Sequence, residues 1–98
     1  NITAWNEISN RDIVEKILKI MKKPSDLIEF VPDRPGHDKH YSINSSKIKN
    51  EINWSPKFDF DDALVQTVNW YIENKSWWEP LIDEKTLHPQ PWTLNWTN

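Results

Sequence analysis

The sequence has no cysteine, which removes disulfides, thiolate metal ligands and thiol nucleophiles together. That suits a reducing interior, and a cytoplasmic setting is the expectation. It has one glycine, Gly36, so neither a GxGxxG fingerprint nor a phosphate-cradling P-loop can be written anywhere in it. No apolar run approaches the ~20 residues that cross a bilayer, so no membrane partner is expected. No basic block exceeds Lys22-Lys23, and twelve basic against fifteen acidic residues leave a net charge of -3. A protein that tracks a phosphate backbone needs the opposite balance, so no nucleic-acid partner is expected. The opening residues, Asn1 to Trp5, lack the basic and apolar regions of a secretory signal and lack an initiator Met. A piece of something longer is therefore the expectation.

What the chain does have is aromatic weight. Its 98 residues suit one small domain, and its 37% hydrophobic content is below the usual ~45–50%. Yet seven Trp, three Phe and two Tyr are too many for a disordered segment. The pattern is that of a folded chain that leans on a surface outside itself. Asn-x-Ser/Thr triplets occur at Asn1, Asn44, Asn53, Asn74 and Asn95. Without a secretory route they read as a by-product of asparagine-rich composition.

Helix signals dominate. Ser9 or Asn10 is placed to cap a first helix, with Asp12 in its first turn and Ile13, Val14, Ile17, Leu18 and Met21 forming one apolar face. Lys22, Lys23 and Pro24 end it. Leu27 to Val31 is rich in β-formers and predicts a short strand stopped by Pro32, and Tyr41-Ser42-Ile43 predicts a second brief extended piece. Ser45 or Ser46 can cap a two-turn helix carrying Ile48 and Ile52. Asn53 follows as a left-handed cap, since asparagine tolerates positive φ better than most residues. The strongest helix opens near Asp59 to Asp62, with Phe60, Leu64, Val68 and Tyr71 at near-fourfold spacing. From Ser76 onward no period lasts, and three Pro and four Trp predict an extended tail laid against the body.

The densest functional candidate is the stretch Asp33-Arg34-Pro35-Gly36-His37-Asp38-Lys39-His40-Tyr41. Arg34 offers a planar fork matched to phosphate oxygens, and His37 adds a donor that becomes cationic near an anion. Pro35 and Gly36 bend the backbone so that both can face one side. The plain alternative is a solvated turn in which Arg34 pairs with Asp33 or Asp38. A second candidate is the start of the first helix, where open N–H groups and the dipole favour an anion and Asn10 supplies an amide. There the alternative is a simple cap. If the chain runs back beside the helix, the two candidates converge on one diphosphate.

Three other patterns carry less. His37-x-x-His40 has two metal-type ligands but no third histidine nearby. Tyr71-x-x-x-Lys75 matches a proton-relay spacing, but Tyr71 falls on an apolar helix face, so a core role is expected. Trp77-Trp78 and Trp92 with Trp96 could stack on sugar rings, although docking of a tail onto a partner surface suits them better.

Four segments carry a resemblance. They are Asn6-Glu7-Ile8-Ser9-Asn10 at a helix start, Asp33-Arg34-Pro35-Gly36-His37-Asp38 followed by Tyr41, Lys47-Ile48 with Glu51-Ile52-Asn53-Trp54-Ser55-Pro56, and Thr67-Val68-Asn69-Trp70-Tyr71 with Asn74 and Trp77-Trp78. Together they resemble the C-terminal part of the dTDP-glucose 4,6-dehydratases, within the extended short-chain dehydrogenase/reductase family. The last two recur across nucleotide-sugar enzymes, whereas RPGHD followed by Tyr is particular to these dehydratases. Thr3-Ala4 stands where the family has a glycine pair, Lys39-His40 where it has an arginine pair, and Ile52-Asn53 where it has Leu-Gly.

The resemblance implies a mixed α/β, helix-dominated substrate-binding domain with short strands and about three helices. Residues 1–80 would be the nucleotide-sugar-binding portion and 81–98 an extended Trp/Pro-rich tail. The N-terminal NAD-binding Rossmann domain, with the catalytic groups, lies outside this chain. The whole enzyme would convert dTDP-glucose to dTDP-4-keto-6-deoxyglucose with NAD as its cofactor, as a homodimer, while this chain alone would bind no cofactor and would not catalyse. Asn10 and Arg34 would contact the diphosphate of a dTDP-sugar, with His37 at the nucleotide end. The alternatives are another nucleotide-sugar epimerase, dehydratase or decarboxylase of this architecture, and a Trp-rich carbohydrate-binding or interaction module.

Overall fold

A computed structural model describes residues 1–4 and 6–95. Trp5 and Trp96, the latter half of a proposed sugar-stacking pair, lie outside the described residues. Four α-helices follow in order: α1 (Asn10–Ile20), α2 (Ser46–Ile52), α3 (Phe60–Glu73) and α4 (Lys75–Trp78). Short 3-10 turns stand at Ser25–Leu27, Glu79–Leu81 and Pro91–Thr93.

Each long helix begins where a side chain takes up an orphan N–H. Ser9 Oγ accepts from the backbone of Asp12 at 3.1 Å, and Asp59 Oδ1 accepts from Asp62 at 2.8 Å. α2 starts differently. Ser45 precedes it, but its hydroxyl turns inward to donate to the Thr3 carbonyl at 3.1 Å, and Ser45 is 2% exposed. The Asn44 side chain instead accepts from the Ser46 N–H at 2.8 Å. Asn53 ends α2 in the left-handed region, at φ 55° and ψ 34°, which is the cap its residue type led us to expect.

α1 ends less simply. Lys23 N–H reaches the Leu18 carbonyl at 2.9 Å and Lys22 N–H reaches that of Lys19 at 3.2 Å. This paired arrangement requires a left-handed residue after the helix, and Lys22 takes it at φ 56°.

α1 and α3 pack side by side. Ile13, Ile17 and Leu18 of α1 and Phe60, Ala63 and Leu64 of α3 are half-buried, and Lys16 Nζ pairs with Asp61 at 2.7 Å. Among the described residues Val68 is the one buried apolar side chain, at 7% exposure.

Two expectations need correction. No strand forms among the described residues. Leu27 closes a 3-10 turn, and Ile28 after it is extended (φ -81°, ψ 124°) but no strand ladder follows. Leu27, Phe30 and Val31 are exposed, Phe30 at 77%. β-propensity is local, whereas a strand exists only with a partner, and this chain does not bring one to it. The second predicted extended piece, at Tyr41-Ser42-Ile43, is likewise unpaired. The tail is also not simply extended: α4 and two 3-10 turns break residues 75–95 into short helical pieces. Proline at the start of each 3-10 turn presets φ for a turn as readily as for an extended run.

Candidate functional site

The chain returns from Phe30 past the start of α1, and two side-chain ties hold the passing loop there. Ser42 Oγ donates to Glu7 Oε1 at 2.6 Å, and His40 Nε2 lies 3.5 Å from Glu7 Oε2. Ser45, bonded to the Thr3 carbonyl, fixes the far end of the same loop. Between the two walls lies a hollow of about 580 Å³. Asn6, Glu7, Ser9 and Asn10 form one wall, and His37, Lys39, His40 and Tyr41 form the other.

The loop is shaped by its own acids. Asp33 Oδ1 accepts from the Arg34 backbone N–H at 2.8 Å and from His37 Nδ1 at 2.6 Å. Those bonds close around Pro35 and Gly36, and Gly36 turns the chain at φ 68°, a value most side-chain-bearing residues avoid. The hydrogen bond from His37 holds the Asp33 carboxyl below its ordinary 3.8, with the Arg34 N–H adding to it. Asp38 Oδ2 in turn accepts from the Tyr41 hydroxyl at 2.7 Å.

Of the three nominated residues, Asn10 and His37 line the same hollow. Arg34 belongs to the same loop but is exposed and is not among the lining residues. Its guanidinium forms no ion pair with Asp33 or Asp38, whose carboxylates accept from His37 and Tyr41. The solvated Arg–Asp turn is thus not what forms. Asn10 is the first residue of α1 rather than its cap, that place being taken by Ser9. The N–H groups of Asn10 and Arg11, in the first turn, point out of the helix end.

Sequence reasoning did not single out Glu7 or Ser42 as builders of the site, and it named Asp33 only as a candidate partner for Arg34. Glu7 and Ser42 stand thirty-five residues apart, and nothing local signals that they meet. Asp33 and His37, by contrast, are four apart across a Pro-Gly bend, a spacing that makes such a bond readable.

The discounted patterns can be placed too. Among the described residues no three His, Asp or Glu side chains gather as a metal site. His37 and His40 turn instead to separate acids. Tyr71 is not core but 52% exposed. It packs edge-on against Trp70 at 5.1 Å, while Trp78 Nε1 donates to the Tyr71 carbonyl at 2.7 Å. Trp70 also meets Trp77 edge-on at 5.5 Å. An apolar helix face is satisfied here by neighbouring rings rather than by burial.

A profile of the GDP-mannose 4,6-dehydratase family matches residues 1–67. The chain belongs to that family. Within it, the chain is similar to the dTDP-glucose 4,6-dehydratase of Streptomyces niveus, 45% identical over 91 residues covering 91% of this chain and 27% of that protein. It is 39% identical to the Escherichia coli enzyme of the same name, covering 85% of this chain and 26% of that one. Among solved structures, the dTDP-glucose 4,6-dehydratase of Bacillus anthracis in complex with NAD matches 84% of this chain at 45% identity, with a TM-score of 0.77. That match covers 26% of the Bacillus chain. The sequence therefore spans about a quarter of the length of these relatives, and its fold is a helix-dominated portion of a short-chain dehydrogenase/reductase-type dehydratase. No helix among the described residues is long and apolar enough to cross a membrane.

Proposed function

We propose that this chain is the nucleotide-gripping portion of a dTDP-glucose 4,6-dehydratase, with residues 1–80 forming the grip and 81–98 a peripheral tail. The carrying observation is the hollow that the start of α1 shares with the loop Asp33–Tyr41, which Asn10 and His37 both line. Its carboxylates are engaged internally, Glu7 by Ser42 and His40 and Asp38 by Tyr41, which leaves amide and basic groups for an anion. Asn10, the first-turn N–H groups and Lys39 suit a diphosphate. Arg34, exposed on the same loop and without an ion pair among the described residues, is the guanidinium available to it.

The residues do not form a dinucleotide cradle. The single glycine sits in a turn after proline, not between a strand and a helix. In this reading NAD, the hydride carrier, is held by the remainder of a cytoplasmic, homodimeric enzyme. Residues of this chain contribute by fixing the diphosphate so that the sugar is held at one distance from the reacting groups. Binding energy spent in that way orients as well as retains, so losing it lowers turnover as well as affinity.

The test is calorimetric titration of the complete protein with dTDP, UDP and GDP. A preference for dTDP is expected, and loss of about tenfold in dTDP affinity for each of Asn10→Ala, Arg34→Ala and His37→Ala. Trp77→Ala should bind as the parent does. A clear UDP or GDP preference would move the protein to another nucleotide-sugar enzyme. Binding that fails in Trp77→Ala and survives in Arg34→Ala would replace the reading with a Trp-based module.

A further inference from the structure

His37 enters the site through one ring nitrogen, and the other is already taken. Nδ1 lies 2.6 Å from Asp33 Oδ1, and Asp33 is itself held by the Arg34 N–H at 2.8 Å. An ionised carboxylate only accepts, so Nδ1 must carry the proton. Nε2 has no partner among the described residues, and the His37 side chain is 31% exposed along the hollow. We propose that Asp33 is a positioning residue, fixing the tautomer and rotation of His37 so that Nε2 is the atom presented to the bound nucleotide. This rests on the nucleotide reading above.

Three features support it. The bond spans four residues across the Pro35-Gly36 bend, so the backbone itself presets the distance between the two side chains. Asp33 is more comfortably ionised than a free aspartate, as an acceptor of two hydrogen bonds should be. Finally, the other acid of the loop, Asp38, is bound to Tyr41 and does not compete for the ring. A histidine held in this way meets its ligand without first giving up a rotamer or a tautomer.

The inference makes Asp33 matter only through His37. In the complete protein labelled with 15N-histidine and free of nucleotide, the His37 resonances, assigned by their loss in His37→Ala, should report a protonated Nδ1. In Asp33→Ala they should move to the Nε2–H form that an unconstrained imidazole prefers. Asp33→Asn, which keeps shape and an acceptor but loses charge, should fall between. In titrations with dTDP, Asp33→Ala should lose about tenfold in affinity, and the double variant with His37→Ala should be no weaker than His37→Ala alone.

A wild-type ring protonated only at Nε2 overturns the proposal. So do Asp33 variants that bind dTDP like the parent, or losses that add in the double variant. If the parent takes up no dTDP, the nucleotide reading fails by that result, while the ring resonances still decide whether Asp33 sets the tautomer.

Discussion

Two aspartates in this chain are held ionised by their neighbours, and both sit in turns. Asp33 is kept below 3.8 chiefly by the bond from His37, and Asp83 by the backbone and hydroxyl of Thr86, which it accepts at 2.8 and 2.9 Å. A depressed folded value means the contribution is fully present above the unfolded value of 3.8. It is lost as the pH falls through the lower, folded value. We expect the thermal midpoint of the complete protein to be insensitive to these two groups near neutrality. Below about pH 4 the parent should lose more stability than an Asp33→Asn, Asp83→Asn variant does, read from melting curves across acid pH. Equal acid loss in both proteins would show that the two bonds do not favour the ionised form. At this scale the candidate site was partly legible: residue type nominated Asn10, Arg34 and His37, of which Asn10 and His37 line the hollow. The bond from His37 to Asp33 was not foreseen, because an aspartate in a turn looks the same whether it faces water or a ring.

At the scale of elements, helix ends carry the clearest signals and one clear surprise. Ser9, Asp59 and Asn53 cap as their chemistry predicts. Lys22 takes the left-handed position after α1 although lysine has no special tolerance for it, at φ 56°. Lys22→Gly should therefore stabilise the complete protein by about 1 kcal/mol, and Asn53→Gly by less, since asparagine already tolerates the conformation. Chemical denaturation checks both, and a loss of stability in Lys22→Gly would contradict the account. The loop is a different case, for Glu7 ties its middle to the start of α1. Glu7→Ala should release it, so that amide exchange in residues 37–42 quickens while α3 is unchanged and dTDP affinity falls. Exchange in that loop as slow as in the parent would show that Ser45 alone holds it. The predicted strand stays unpaired among the described residues because pairing is not written in the segment that pairs.

For the whole molecule, the radius of gyration is 17.0 Å, against about 13 Å for a compact chain of this length. Val68 is the one buried apolar side chain described, while Phe30, Tyr41, Ile52 and Trp77 are largely exposed. That much open apolar surface cannot offset the conformational entropy of ordering the chain. The isolated 98-residue chain should accordingly melt over a broad range and bind a hydrophobic dye, whereas the complete protein should unfold sharply. A sharp, dye-free transition in the isolated chain would show that these faces need no cover. The same openness explains why Tyr71 was misread as core: an apolar stripe records that a face will be covered, but not by what.

Local chemistry was enough to place the main helix starts and the loop that bends, and to nominate side chains for a diphosphate, because capping, positive φ and donor geometry depend on residues within a turn of one another. It was also enough to exclude a glycine-rich phosphate loop and a membrane-spanning run. The convergence of the loop on α1, the capture of Ser42 and His40 by Glu7, the inward turn of Ser45 and the missing strand partner were decided by tertiary structure alone. Each depends on groups brought together from distant parts of a chain, or on a surface the chain does not carry, and no local pattern encodes such a meeting.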